Sequence, residues 1–391
     1  MSVMRVATFI ISVFIVGMVE MMVAGSMNLM SEDLGVPETI IGQLVTLYAL
    51  TFAICGPILV KLTNRFAVRP VLLWTLVAFI IGNAMIAMAP NFTILVIGRI
   101  LSSAAASLII VKVLALTAML TIPKNRGKMI GVVYTGFSGA NVFGVPIGTM
   151  IGDAIGWRFT FLFIIIVSVI AGVLMMVYLP STSELNQVQR QWGSTSNKQL
   201  NTSKILRPAE VVKYLAITFL ILVANSVTFV YINPLILNHG HQMGFVSLAL
   251  LVNGIAGVIG TSLGGILADK LSSKRWLIIA FSIFIVMMLM MNLILHTVTI
   301  LLIGLFIWNI VQWSTNPAIQ SGMIEHVEGD TSQVMSWNMS SLNAGIGFGG
   351  IIGGLVVSNI SVQAVTIVSA IVGTMGLIIV ISLKNMSYIK N

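Results

Sequence analysis

Residues 10–23 read Ile-Ile-Ser-Val-Phe-Ile-Val-Gly-Met-Val-Glu-Met-Met-Val, one carboxylate, Glu20, among uncharged neighbours. The run lacks the apolar–polar alternation of a membrane β-strand. Similar unbroken runs occupy Phe161–Val177 and Trp276–Leu295. A helix bonds its own backbone, so it can cross a bilayer, and about 20 apolar residues are long enough to do so. Composition points the same way. Only 8% of the 391 residues are charged, 58% are apolar, and mean hydropathy is +1.05. A soluble surface takes roughly 25% charged residues, so this chain cannot coat itself for water. An all-α integral membrane protein is expected.

Twelve transmembrane helices are predicted, at roughly 6–27, 41–62, 70–89, 93–118, 129–152, 158–179, 211–238, 244–268, 274–295, 297–322, 333–357 and 361–383, each near the length a bilayer needs. The stretch 180–210 opens with Pro180 and is rich in Ser, Thr, Asn and Gln. It divides the chain into six-helix bundles at 1–179 and 211–391, with 180–210 as a cytoplasmic linker. Lys and Arg mark the cytoplasmic side of a membrane protein. With the N-terminus inside, 17 of the 20 basic residues fall on the cytoplasmic side, Arg99 and Lys112 fall within a span, and Arg158 alone falls outside. Both termini are therefore expected in the cytoplasm. The net charge of +9 reflects that topology and requires no nucleic acid.

The halves repeat. Gly144, Gly148 and Gly152 recur every four residues, as do Gly345, Gly349 and Gly353, at an offset of 201. Asn64-Arg65 before Arg69 matches Asp269-Lys270 before Lys274-Arg275 at an offset of 205. Two six-helix pseudo-repeats in parallel are the layout of a rocking transporter.

Several motifs resemble those of the major facilitator superfamily, in its twelve-span drug:proton antiporter group. The similarity is to the bacterial purine-, arabinose- and chloramphenicol-efflux branch, over nearly the whole chain. Gly17-Met-Val-Glu20 with Gly25, Glu32-Asp33-Leu34-Gly35-Val36 and Gly42-Gln43-Leu44 resemble that branch's first-span signature. Gly144-Val-Pro146-Ile-Gly148-Thr149, with Gly156-Trp157-Arg158 and Phe161, resembles its antiporter motif. Gly98-Arg99 matches the family's membrane arginine, and Gly265-Ile-Leu-Ala-Asp269-Lys270 its second inner-loop motif. The chain departs from the pattern in the first inner loop, where Asn64 and Ala67 replace the usual aspartate and glycine. The resemblance implies the superfamily fold and efflux by antiport, the activity of multidrug-resistance pumps.

Charges in a membrane are expensive, about 2.5–3.5 kcal/mol each near a helix centre, and mark function. At a rise of 1.5 Å per residue, Glu20 and Arg99 both lie about 21 Å from the inner face. Burial disfavours a charged carboxylate and a nearby cation favours it. Glu20 is therefore read as a proton-coupling carboxylate that Arg99 keeps ionised, or as half of a static Glu–Arg clamp. Lys112 lies 13 residues beyond Arg99. It either holds an anionic substrate group or snorkels to the interface. In the second half Asn225, at offset 205 from Glu20, joins Tyr231, Asn253, Asn309, Gln312, Trp313 and Asn338 as candidate substrate contacts. Amides suit a ligand of mixed donors and acceptors, or they join helix to helix. The glycines of the first ladder, with Pro146 to bend the helix, are read as a gating seam against the opposite half. Asp269 and Lys270 are read as a loop clasp.

Cys55 is the single cysteine, so no intrachain disulfide forms. The four histidines fall at span ends or loops, and His239-Gly240-His241 alone is too little for a metal centre. No phosphate-binding loop, zinc pattern or catalytic triad appears. No cofactor is expected and the proton gradient supplies the energy. The expectation is a monomeric, multi-pass exporter of a small solute in a bacterial inner membrane, and not an enzyme. The alternative is a proton-coupled importer or facilitator on the same fold.

Overall fold

The structure, a computed structural model, describes residues 2–63, 65–121, 126–181, 184, 204–328 and 332–384. Asn64, Lys124, Arg190, Lys198, Lys390 and most of the 180–210 connector lie outside the described residues.

The helices are α1 (Val3–Gly25), α2 (Met27–Leu34), α3 (Glu38–Thr63), α4 (Val68–Ala87), α5 (Phe92–Met119), α6 (Arg126–Gly139), α7 (Val145–Ile155) and α8 (Trp157–Tyr178). Then come α9 (Pro208–Phe229), α10 (Ile232–Leu237), α11 (Met243–Leu271), α12 (Ser273–Ile294), α13 (Val298–Ile324), α14 (Ser332–Asn359) and α15 (Ala364–Ser382). Two-residue strands β1 (Lys204–Ile205) and β2 (Val327–Glu328) pair antiparallel.

Among the described residues, 11 helices are long and apolar enough to cross a membrane. The remaining span is α6 and α7, joined by a π-helical turn at Ala140–Gly144. Pro146 is the cause. It lacks an N–H, and its ring crowds the carbonyl of Val142 four residues back. Widening the helix by one residue relieves that crowding. Counting this span, the chain is a twelve-span all-α membrane protein. The seventh span is interrupted by a turn at Val230–Tyr231, four and three residues before Pro234. The first span breaks at Ser26 without a proline. Ser26 and Tyr231 are 205 residues apart, so the repeat extends to the breaks.

The chain forms two compact units, 1–196 with 242–254, and 197–241 with 255–391. In the first, α1 packs on α6 and α8, α3 on α5, and α4 on α5 and α8. In the second, α9 packs on α14, α15 and α13, and α12 on α13 and α15. The division differs from the sequence boundaries at 242–254. There Gly254 lies against the Asn141 carbonyl so closely that a Cβ has no room.

The glycines of each ladder face helices of their own half. Gly144 faces Met18 and Gly148 faces Met22, both on α1. Gly349 meets Val223 and Ser226, and Gly353 meets Val227 and Tyr231, all on α9 and the turn after it. Since Met18 and Val223 are 205 apart, as are Met22 and Val227, Gly144 corresponds to Gly349 and Gly148 to Gly353. The offset of 201 is therefore one helical turn out of register. At the turn left over, a Cβ on Gly17 would come 2.9 Å from that of Ala140, and one on Gly345 would come 2.8 Å from that of Leu222. The small residue has changed sides between the two copies.

Candidate functional site

Arg99 is fully buried on α5. Its level is set by close contact of α4 and α5. A Cβ on Gly98 would come 2.7 Å from the Gly82 carbonyl, and one on Gly82 would come 2.7 Å from the Ser102 amide. Ser103 Oγ donates to the Tyr48 carbonyl at 2.6 Å, fixing α5 to α3. From that position the guanidinium donates to three backbone carbonyls: Nη1 to Val19 at 2.7 Å, Nη2 to Glu20 at 3.2 Å and Nε to Leu44 at 3.3 Å. Its carbon lies 4.3 Å above the centre of the Tyr48 ring, a distance at which a cation is attracted to the ring face.

Arg99 and Glu20 do share a level, since one bonds the backbone of the other. The carboxylate itself is not the partner. Among the described residues no ion pair joins Glu20 to Arg99. The clamp between α1 and α5 runs through backbone oxygen and leaves the acid outside it. Glu20 is nevertheless only 6% exposed, within electrostatic reach of Arg99, Tyr48 and Tyr134. Lys112 is 7% exposed while its neighbour Val111 is 40% exposed. The lysine therefore turns into the helix bundle.

The second-unit candidates separate by what holds them. Asn225 Oδ1 accepts from Trp308 Nε1 at 3.1 Å, and Trp308 is fully buried. Asn338 Oδ1 accepts from Thr218 Oγ1 at 2.7 Å. Tyr231 donates to the Gly350 carbonyl at 3.3 Å and fills the space beside Gly353. Asn309 Nδ2 donates to Leu305 of its own helix at 2.7 Å, and its Oδ1 is buried without a partner among the described residues. Trp313 lies against Gly257, with an atom of its six-membered ring 3.2 Å from where a Cβ would stand. Asn253 and Gln312 are buried, and no hydrogen bond joins the Gln312 side chain to the described residues. Asn225, Tyr231 and Asn338 thus join helices.

Asp269 and Lys270 are exposed, and neither forms an ion pair among the described residues. A clasp occurs where α2 ends and α8 begins. Arg158 pairs with Asp33, which also accepts from Trp157 Nε1 at 3.2 Å. Arg158 donates further to the Ala89 carbonyl at 2.9 Å.

The sequence matches the Major Facilitator Superfamily profile over residues 9–339. The chain belongs to the Major Facilitator Superfamily. Among superfamily relatives, it is 31% identical over 363 residues to an uncharacterised MFS-type transporter, YtbD, of Bacillus subtilis (strain 168), covering 90% of this chain and 87% of that one. It is 26% identical over 380 residues to a probable sugar efflux transporter of Helicobacter pylori (strain J99), covering 96% and 94%. The crystal structure of a D-xylose-proton symporter superposes with a TM-score of 0.77, covering 98% of each chain at 13% identity, which establishes a shared fold. The protein is a multi-pass membrane transporter of the superfamily.

Two parts of this transporter's site carry no mark in the sequence. Tyr48 is one of six tyrosines and lies in a span whose charges, Glu38 and Lys61, stand at its ends. Gly82, the partner of Gly98, belongs to no ladder or motif, so only the contact across two helices reveals it. At the far end of the second unit, Glu210 accepts from Lys213 Nζ at 3.0 Å and from the Lys384 amide at 3.1 Å. The His326 ring is 5.9 Å from that of Tyr214, and burial holds the imidazole below the usual histidine range.

Proposed function

We propose that the chain is a proton-coupled secondary exporter of a small amphipathic or heterocyclic solute, in the drug, purine or sugar class. On this reading it works by alternating access as a monomer in a bacterial cytoplasmic membrane. Both termini are cytoplasmic, and the proton gradient is the energy source. One observation carries the coupling: a buried carboxylate, Glu20, beside an arginine whose donors go to backbone carbonyls. An isolated buried charge is costly and is relieved by neutralisation. Glu20 can be neutralised by a proton or by a ligand's donor, and competition between the two is the requirement of exchange. Support for export comes from the segment Gly144–Thr149, which resembles an antiporter motif, and from the H. pylori relative's name.

The test is flux in proteoliposomes under an imposed pH gradient, with purines, sugars and phenicols as solutes. Outward-directed exchange of one class against protons is expected. Glu20→Gln is expected to elute and melt like the native protein, to lose gradient-driven flux and to retain solute counterflow. Normal pumping by Glu20→Gln would overturn the coupling role. Uptake in the direction of the proton gradient would overturn export.

A further inference from the structure

Three of the four histidines gather at one end of the second unit. The chain leaves α10 through Asn238, His239, Gly240 and His241. Gly240 has φ +81°, a left-handed conformation that glycine adopts without steric cost. His239 Nδ1 lies 2.9 Å from the Leu235 carbonyl, and His241 Nε2 lies 2.6 Å from the Leu295 carbonyl. A carbonyl only accepts, so His239 Nδ1 carries a proton and Nε2 presents a lone pair in the neutral ring. His296 follows directly on Leu295, is exposed, and turns its ring toward His239. The ring centres are 5.3 Å apart at 66°.

That spacing has a chemical meaning. Zinc–imidazole bonds are about 2.0–2.1 Å, so two imidazoles on one tetrahedral ion have ring centres roughly 5 Å apart. A metal-binding histidine also commonly donates its other N–H to a backbone carbonyl, which sets the tautomer and aims the ring. His239 already does this with Leu235. Among the described residues no group of three histidine, cysteine, aspartate or glutamate side chains is placed to hold an ion. A site at this pair would take two protein ligands.

We propose that His239 and His296 form a two-imidazole site for a zinc-type divalent cation, with Leu235 orienting His239 and water completing the coordination shell. Imidazole suits zinc, copper and nickel over magnesium or calcium. A bound ion ties the turn after α10 to the turn after α12.

The test uses the full-length protein in detergent, without a polyhistidine tag, titrated calorimetrically with ZnCl2. One ion per chain is expected. Loss of an outer-shell partner alone weakens metal binding about 10–100-fold, so His296→Gln, at an exposed position, is expected to weaken it by at least about tenfold. Cu2+ added to the native protein should show the paramagnetic-resonance splitting of two equatorial nitrogens, reduced to one in His296→Gln. Absence of stoichiometric zinc binding to the native protein would overturn the site. So would native affinity in the double variant His239→Gln/His296→Gln. If the double variant does not fold, undiminished affinity in His296→Gln does the same.

Discussion

Replacing Arg99 by Lys keeps the charge and removes the fork that reaches three carbonyls, since an ammonium is a compact point donor. A hydrogen bond to a charged group is worth about 1.5–3 kcal/mol. Arg99→Lys is therefore expected to lower the melting temperature by several degrees, read by thermal shift in detergent. Glu20→Gln, whose carboxylate takes no part in that clamp, is expected to melt within a degree or two of native. An equal loss in both variants would show that the two side chains are paired. The common level of Glu20 and Arg99 was legible, because rise per residue converts position into height. The true partners of Arg99 were not legible. Height along a helix says nothing of which way a side chain leaves it, and carbonyls are present at every residue. The same limit applies to Asn225 and Asn338, because an amide that joins helices has the same letter as one that meets a ligand.

At the scale of elements, the spans were legible to within a few residues, since apolar length and hydropathy set them. The π-turn before Pro146 was foreseeable only as a bend. The ladder register was misread because glycines repeating every four residues match themselves after a slip of four. Contacts resolve it, and they show that Gly17 against Ala140 in one unit answers Leu222 against Gly345 in the other. Overpacking a close helix contact costs about 1–3 kcal/mol, and Gly345→Ala is expected to lose that much. Adding Leu222→Gly, which removes the Cβ that the new methyl would meet, is expected to recover part of the loss, with a coupling of at least about 0.5 kcal/mol in the double-mutant cycle. Strict additivity, measured by denaturation of the four proteins, would dissolve the complementarity.

For the whole molecule, the basic residues read as a topological signal, and nothing in the sequence marked them as caps. Arg69 donates to the Met176 carbonyl at 2.6 Å and Arg5 Nε to that of Tyr178 at 2.9 Å, at the end of α8. Lys274 donates to Leu383 at 2.6 Å and Lys213 to Ser382 at 2.9 Å, at the end of α15. Arg69 and Lys274 are 205 apart, as are Tyr178 and Leu383. Cations suit helix C-termini, where unpaired carbonyls collect, so these residues close helix ends. In a Cys55→Ser background, Asn359→Cys is expected to react with an impermeant maleimide in intact cells, and Lys270→Cys only after permeabilisation. The reverse pattern would invert the topology. The short β1–β2 pair has a mechanical reading. The Leu206 amide donates to the His326 carbonyl at 2.9 Å, beside the two paired residues on each strand. The connector therefore arrives already fastened to the residues that follow α13. A pull along it is divided between two helices before it reaches the first turn of α9, as a strain-relief grip protects the joint behind a cable.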